Sequence, residues 1–317
     1  MPRIAILVPC YNEEATVGRV VSDFSRVLPF ATVYVYDNNS TDNTKACAVQ
    51  AGAIVRSVTI QGKGAVVRRM FADIDADIYV LVDGDDTYDA SALPRLVDSV
   101  LTEGCDLLNA ARQPISERAF RRGHSLGNRL LSRSVGWIFG RGMEDILSGY
   151  KVLSRRFVKS FPVFSRGFEI EVELSIHALA LAMPFRELFV AYSDRPVGSA
   201  SKLRTVKDGV KIAIAIVQLM RQERPSTFYT VIWATLSVVA IILSYPLFVT
   251  YFQTGMVPRL PTALLSTGLE IVGFLSLTAG LILDTVTRGR RESKVLAYLS
   301  YPSVWEIQDV GEKAAHR

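Results

Sequence analysis

Residues 228–252 form a stretch of 25 side chains without a single charge. As a helix it would be about 37 Å long, enough to cross the hydrocarbon of a bilayer. Pro246 would kink such a helix without excluding it. A second apolar stretch, 264–286, follows a short polar loop and carries Glu270 and, near its end, Asp284. Asp284 reaches the interface; Glu270 lies nearer the far side and either does the same or pairs within an oligomer. Arg221 and Arg224 precede the first stretch, and Arg288, Arg290, Arg291 and Lys294 follow the second, whereas the connecting loop has only Arg259. The positive-inside rule then puts both ends of the pair in the cytoplasm. A mean hydropathy of +0.24 agrees with a membrane part. The net charge of +5 alone would suit nucleic acid, but the cation surplus sits largely beside the two stretches.

The first 200 residues are organised differently. Apolar runs suited to buried strands lie at 4–9, 32–36, 53–58, 78–82 and 106–110. Helical patterns lie between and after them, at 13–28, 42–51, 64–74 and 91–102, with Ser40 or Thr41 and Ser91 as expected caps. Repeated β-α units predict a parallel, doubly wound sheet with right-handed crossovers. In such a sheet the loops after the strands carry the chemistry. Three of these are polar and acidic: Cys10-Tyr11-Asn12-Glu13-Glu14, Asp37-Asn38-Asn39-Ser40-Thr41-Asp42 and Asp83-Gly84-Asp85-Asp86. Carboxylates as crowded as Asp83, Asp85 and Asp86 repel one another unless a cation neutralises them, so the last loop predicts a divalent metal facing phosphates. A solvated acidic turn is the plainer alternative.

Other phosphate-handling folds fit poorly. The turn after the first strand has no glycine, as a dinucleotide-binding Gly-x-Gly-x-x-Gly would require, and no P-loop motif occurs. Asp83, Asp85 and Thr87 match the nucleophile loop of haloacid-dehalogenase-type phosphatases, but that loop ends the first strand and here it ends the fourth. Cys10, Cys47 and Cys105 show no zinc spacing with His124, His177 or His316, and read as reduced thiols packed as small apolar residues. His177 reads as a packed helix residue, and His124 as facing solvent, membrane or acceptor. Met1-Pro2-Arg3-Ile4 reads as leading directly into a strand, so no cleaved secretory signal is expected.

The motif series Val8-Pro9-Cys10-Tyr11-Asn12-Glu13-Glu14, Asp37 to Asp42, Gly62-Lys63-Gly64-Ala65 and Asp83-Gly84-Asp85 resembles glycosyltransferase family two, the inverting GT-A enzymes. Asp145-Ile146-Leu147-Ser148-Gly149-Tyr150-Lys151 and the stretch from Arg195 to Leu203 resemble its polyprenyl-phosphate branch, which includes dolichyl-phosphate mannose synthases and bacterial undecaprenyl-phosphate relatives. The resemblance covers about two-thirds of the chain. It implies a GT-A catalytic domain, Rossmann-like with a mostly parallel sheet, over 1–203. An amphipathic juxtamembrane helix over 204–225, two transmembrane helices within 226–288 and a cytoplasmic tail over 289–317 complete the expected organisation. The amphipathic stretch either lies in the interface or packs on the catalytic domain, and the tail from Ala297 docks at the same surface.

The resemblance also implies roles. Mg²⁺ or Mn²⁺ on Asp83 and Asp85 would neutralise a diphosphate leaving group. Asp37 and Glu13 would hold the nucleoside of a UDP- or GDP-linked sugar, Pro9 and Tyr11 shape its pocket, and Lys63, Gly84 and Asp83 lie by the base or diphosphate. Glu14 fits a helix first turn as well, Asp42 a capping position, and Asp86 a place behind the metal ligands. A hydroxyl acceptor needs a general base, whereas a lipid phosphate is already anionic and needs cations. Arg195 and Lys202 match the branch motif as phosphate ligands, Arg195 also as a catalytic group; Arg112, Arg129 and Ser148 are further candidates. Asp145 would be the base for a hydroxyl acceptor, and otherwise orients these groups.

The expected protein is a membrane-anchored inverting transferase that moves one sugar to a polyprenyl phosphate on the cytoplasmic leaflet, in a bacterial inner membrane. Homo-oligomers are expected, because two spans bury little surface alone. A polysaccharide synthase would need more spans and a Gln-x-x-Arg-Trp motif, which is absent. A transferase acting on another lipid or glycan hydroxyl and a non-catalytic sugar-nucleotide sensor are the remaining alternatives. The sugar, the base and the prenyl length are not encoded in any motif.

Overall fold

The computed structural model describes residues 2–114, 122–163, 169–193, 214 and 217–307. The chain divides into two units, Met1–Val210 with the segment from Ser293 onward, and Lys211–Glu292.

The first unit is built on a seven-stranded sheet, among the described residues, of order β3-β2-β1-β4-β6-β5-β7. The strands are β1 (Ile4–Cys10), β2 (Thr32–Asp37), β3 (Ile54–Ser57), β4 (Ile78–Leu81), β5 (Leu107–Pro114), β6 (Lys151–Ser154) and β7 (Phe185–Tyr192). Only β6 runs against its neighbours, pairing antiparallel with β4 and with β5. The apolar runs become strands because both of their faces are covered. Ile4, Ile6, Val8 and Cys10 of β1 join Ile78, Val80 and Val82 in one core cluster, and Ala5 and Leu7 are buried on the opposite face. That cluster also takes the buried faces of α1 (Val17–Val27) and α4 (Leu93–Glu103). In α4 the buried Leu93, Leu96, Val97 and Val100 follow helical spacing, and the helix stops at Gly104, which adopts a left-handed φ of 66°. The remaining helices of this unit are α2 (Thr44–Gln50), α3 (Lys63–Asp73), α5 (Arg122–Phe139), α6 (Arg155–Ser160) and α7 (Ile170–Ala180).

Several expected boundaries move, each for a local reason. Helix α1 starts at Val17, so Glu13 and Glu14 belong to the preceding turn and no acid stands in the first turn. Neither Ser40 nor Thr41 caps α2; the Asp42 carboxylate accepts from the Thr44 amide at 3.1 Å instead. Ser91 does not cap α4, because Asp89 caps a short 3-10 turn by accepting from the Ser91 amide. β5 runs to Pro114, past the expected end, because β7 pairs with its whole length. Asp106, expected inside that strand, is a fully buried carboxylate that accepts from Ser154, Arg156 and Tyr298. Its last partner belongs to the C-terminal segment, which packs on the α/β unit. The Arg156 guanidinium lies 4.6 Å from the Tyr298 ring centroid, Val304 enters the core cluster, and the Trp305 ring fills the space a side chain at Gly104 would need.

The second unit is a pair of long helices, α8 (Pro225–Thr254), with Pro246 inside it, and α9 (Leu260–Leu299), which ends in the first unit. Both are long and apolar enough to cross a membrane. Ile241, Ile242, Leu264, Leu275 and Ile282 are exposed, as lipid-facing residues would be. Gly273 and Gly280 of α9 bring the helices close: a Cβ at Gly280 would stand 2.7 Å from that of Tyr229. Glu270 accepts from Ser237 at 3.0 Å and Asp284 from Ser226 at 3.0 Å, so both acids find partners within the helix pair. The expected amphipathic helix falls mostly outside the described residues, which resume as helix at 217.

Candidate functional site

The parallel strands β1, β2 and β4 end on one rim, and their loops are tied together there. The Asn12 amide donates to Ser40 Oγ at 2.9 Å, and Asn12 Oδ1 accepts from the Thr41 amide at 2.8 Å. The Glu13 amide donates to Thr44 Oγ1 at 2.8 Å, and Glu14 accepts from the Asn43 amide at 2.9 Å. Asn12 holds the left-handed turn this requires, at φ 53°. Asn38 extends the lacing to a third loop: its amide side chain donates to the Val58 and Ile60 carbonyls and accepts from the Gly62 amide at 2.7 Å. Asp37 is 2% exposed, and its Oδ1 has no hydrogen-bond partner among the described residues. A buried carboxylate oxygen left open in this way suits a donor from a bound ligand, such as a base or ribose. Pro9 is half-buried and Tyr11 exposed beside it, at the mouth of the same rim.

The acidic loop after β4 is gripped from three directions. Thr16 Oγ1 donates to the Gly84 carbonyl at 2.7 Å. A Cβ at Gly84 would lie 2.6 Å from Cys10 Sγ, and one at Gly149 would strike the Asp83 carboxylate. Asp83 accepts from Lys63 Nζ at 2.5 Å, Asp85 from Thr87 Oγ1 at 2.6 Å, and Asp86 pairs with Arg19 at 3.0 Å. Asp86 thus points to α1, apart from the other two. Lys63 also binds Glu171 of α7. Burial alone would lower the Lys63 ammonium, but Asp83 and Glu171 outweigh it and hold the lysine charged. Burial pushes the Glu171 carboxyl up against the pull of Lys63. Burial and the surrounding carboxylates push the Cys10 thiol well up, which keeps it an unreactive packing residue.

Among the described residues no cluster of three or more acid, His or Cys side chains could cage a metal ion. Asp83 and Asp85 supply two carboxylates, and an ammonium already rests on one of them. That donor set fits Mg²⁺ or Mn²⁺ arriving with phosphate oxygens and water, and does not fit a metal held by protein alone.

Across the sheet, a cavity of about 560 Å³ opens beside β5 and α5. Arg112, Asn128, Arg129, Ser132, Arg133 and Asp145 line it. Arg112 grips Asp145 bidentately, Nε to Oδ2 at 2.7 Å and Nη2 to Oδ1 at 2.8 Å. The Arg112 amide and Asn128 Nδ2 also donate to the same carboxylate. Burial would raise the Asp145 carboxyl, but these donors hold it below the usual carboxylate range. Arg112 is therefore a half-buried, paired cation stacked 5.5 Å from the Tyr192 centroid, whereas Arg129 is exposed. Ser148 is fully buried and its hydroxyl donates to the Ala110 carbonyl at 2.5 Å, which fixes the turn that brings Gly149 to Asp83. Arg195 and Lys202 lie outside the described residues, as does the side chain of His124. His177 is packed in α7 at 2% exposure.

Four polar residues complete the site without having been singled out in the sequence. Glu187 of β7 accepts from the Glu144 and Asp145 amides and from Asn109 Nδ2, fixing the backbone that carries Asp145. Asn109 in turn accepts from the buried Lys151 at 2.5 Å. Glu171 is the fourth. An acid in register with Leu174, Ser175 and Ala178 on the buried side of α7 was the available sign.

Residues 5–159 match the family model described as glycosyl transferase family 2. The glycosyltransferase AglJ of Haloferax volcanii is 34% identical over 228 residues, which cover 71% of this chain and 75% of that protein. The dolichyl-phosphate hexose transferase of the same organism is 25% identical over 221 residues, covering 70% and 95%. Among solved structures, glucosyl-3-phosphoglycerate synthase from Mycobacterium tuberculosis, in complex with Mg²⁺ and UDP, matches with a TM-score of 0.55 at 26% identity, covering 69% of this chain and 78% of the synthase.

Proposed function

The chain belongs to glycosyl transferase family 2, and from that premise we propose that it transfers a single sugar from a UDP- or GDP-linked donor to a polyprenyl phosphate in the membrane. The observation that carries the acceptor reading is the state of Asp145. Among the described residues it is the one carboxylate bonded to a cation at the cavity beside β5, and Arg112 and Asn128 consume its oxygens. A carboxylate held so firmly in its ionised form is a poor general base. Arg112, Arg129 and Arg133 suit an acceptor that arrives already ionised. A relative named for dolichyl phosphate and two apolar helices point the same way.

In this reading Asp37, with Pro9, Tyr11 and Glu13 around it, receives the nucleoside. Asp83 and Asp85 would hold Mg²⁺ or Mn²⁺, which would offset the charge growing on a diphosphate leaving group. Gly84 and Gly149 set the closeness of that loop. Arg129, with Arg195 and Lys202 from the motif after β7, receives the acceptor phosphate, and Arg112 and Asp145 orient it. The role of Ser148 is to shape the turn under Gly149. Lys and Arg flank both spans on one side, so the α/β unit faces the cytoplasm with its sugar nucleotide.

Membranes carrying the chain, given labelled UDP- and GDP-sugars with Mg²⁺ or Mn²⁺, should pass label into an organic extract. A product that stays water-soluble, or label transferred equally in a chelator, would contradict the proposal.

A further inference from the structure

The Lys63 side chain is 8% exposed and lies between two carboxylates that come from distant parts of the chain. Asp83 belongs to the loop after β4, and Glu171 to α7, 108 residues after Lys63. The two acids share one ammonium. Glu171 Oε1 takes it, while Oε2 is buried with no hydrogen-bond partner among the described residues. Glu171 is also held in place: Ser175 Oγ donates to its carbonyl at 3.1 Å and accepts from Lys151 at 3.2 Å.

A divalent ion that took Asp83 would stand against the ammonium already there. Like charges in so buried a place repel strongly, so the ammonium must leave that carboxylate. Leaving it for an apolar wall would strand a buried charge. The open Oε2 of Glu171 offers a receiving oxygen next to the one Lys63 already uses.

We propose that Lys63 is the resident cation of the Asp83 carboxylate and that Glu171 is its second seat. Entry of a divalent ion moves the ammonium wholly onto Glu171, and Glu171 thereby sets the affinity of the metal site while touching neither metal nor donor. Glu171 is a positioning residue that acts through Lys63. The inference rests on the reading of Asp83 as a metal ligand.

The test is Mn²⁺ binding by the full-length chain in detergent, read from the electron-paramagnetic signal of free Mn²⁺. Wild type, Glu171→Gln, Lys63→Met and the double variant are compared in saturating UDP or GDP, which supply the phosphate oxygens, against a protein-free nucleotide blank. Removing Lys63 should tighten Mn²⁺ about tenfold or more in the Glu171→Gln background, where the ammonium has nowhere else to go, and by less in the wild-type background. A gain in wild type equal to or larger than that in Glu171→Gln would overturn the proposal, because Glu171 would then act as a ligand or a bare charge. If Glu171→Gln does not fold, the double variant, which removes both charges together, carries the test. It should bind Mn²⁺ at least as tightly as wild type, and weaker binding would overturn the proposal. Glu171→Asp should keep part of the wild-type affinity. Asp83→Asn separates the two readings: Mn²⁺ binding that ignores this change refutes Asp83 as a ligand, whereas binding lost with Asp83→Asn but without the coupling refutes the Lys63 exchange alone.

Discussion

The donor rim and the acceptor cavity of this chain are built in opposite ways. The rim is made of loops that follow β1, β2 and β4, laced through backbone amides such as those of Asn12 on Ser40 and Thr41 on Asn12. The cavity is held by pairs of side chains: Arg112 with Asp145 in its lining, and Asn109 with Glu187 behind Asp145. Strand ends position the rim. The cavity depends on buried charges meeting correctly, so it should be the more fragile to single substitutions and the more tolerant of paired ones.

The largest effect should come from the rim. Asp85→Asn leaves the buried bond to Thr87 possible but removes a charge from the metal, and transfer should fall about 10³-fold or more, with folding intact. Steady-state turnover with saturating donor checks this, and a loss under tenfold would remove Asp85 from the metal site.

Arg112→Ala tests the cavity. It leaves Asp145 buried and largely unpaired, at a cost of about 3–5 kcal/mol to stability. Arg112→Leu with Asp145→Leu should recover most of that stability in a detergent melt while transfer stays low. If Arg112→Ala melts like wild type, the pair does not hold the cavity together.

Much of the rim was legible in sequence because a parallel strand announces its own end. An apolar run stopping at Asp83, with turn residues after it, fixes both position and direction. Asp42 as a cap and His177 as a packing residue were legible for the same local reason. Acceptor chemistry was legible only in outline. Arg112 looks like any surface arginine until β5 and the Asp145 turn meet, and Ser148 looks like a phosphate ligand until its hydroxyl is seen spent on Ala110. The antiparallel β6 has only Val152 and Leu153 as apolar residues between Lys151 and Ser154, which gives periodicity little to register. Glu171 and Glu187 required knowing what packs against α7 and β7.

Gly149 joins the two regions, since it stands against Asp83 from the turn that Ser148 fixes. Gly149→Ala should push the Asp83 carboxylate aside and slow transfer about 100-fold, leaving nucleoside binding at Asp37 unchanged. Unchanged turnover would mean that the close approach has no catalytic use.

The smallest effect concerns Lys151, deep beneath the cavity. Burial lowers its ammonium from an ordinary 10.5 to about 8. Between those values the unfolded chain binds more protons than the folded one, so this group adds stability as pH rises from about 8 toward 10.5. Below pH 8 both states are protonated and its penalty is constant. Lys151→Met should flatten that part of the profile in paired melts at each pH. Parallel profiles for the two proteins would show that the lysine is not desolvated as its burial implies.

The central claim is that the cavity serves an acceptor that needs cations and no base. Purified full-length chain, given labelled donor and Mn²⁺, should be offered a polyprenyl phosphate and the matching polyprenol side by side. Transfer to the phosphate alone is the predicted result. Comparable transfer to the free alcohol would contradict the account, because Asp145 or another group would then have to take a proton.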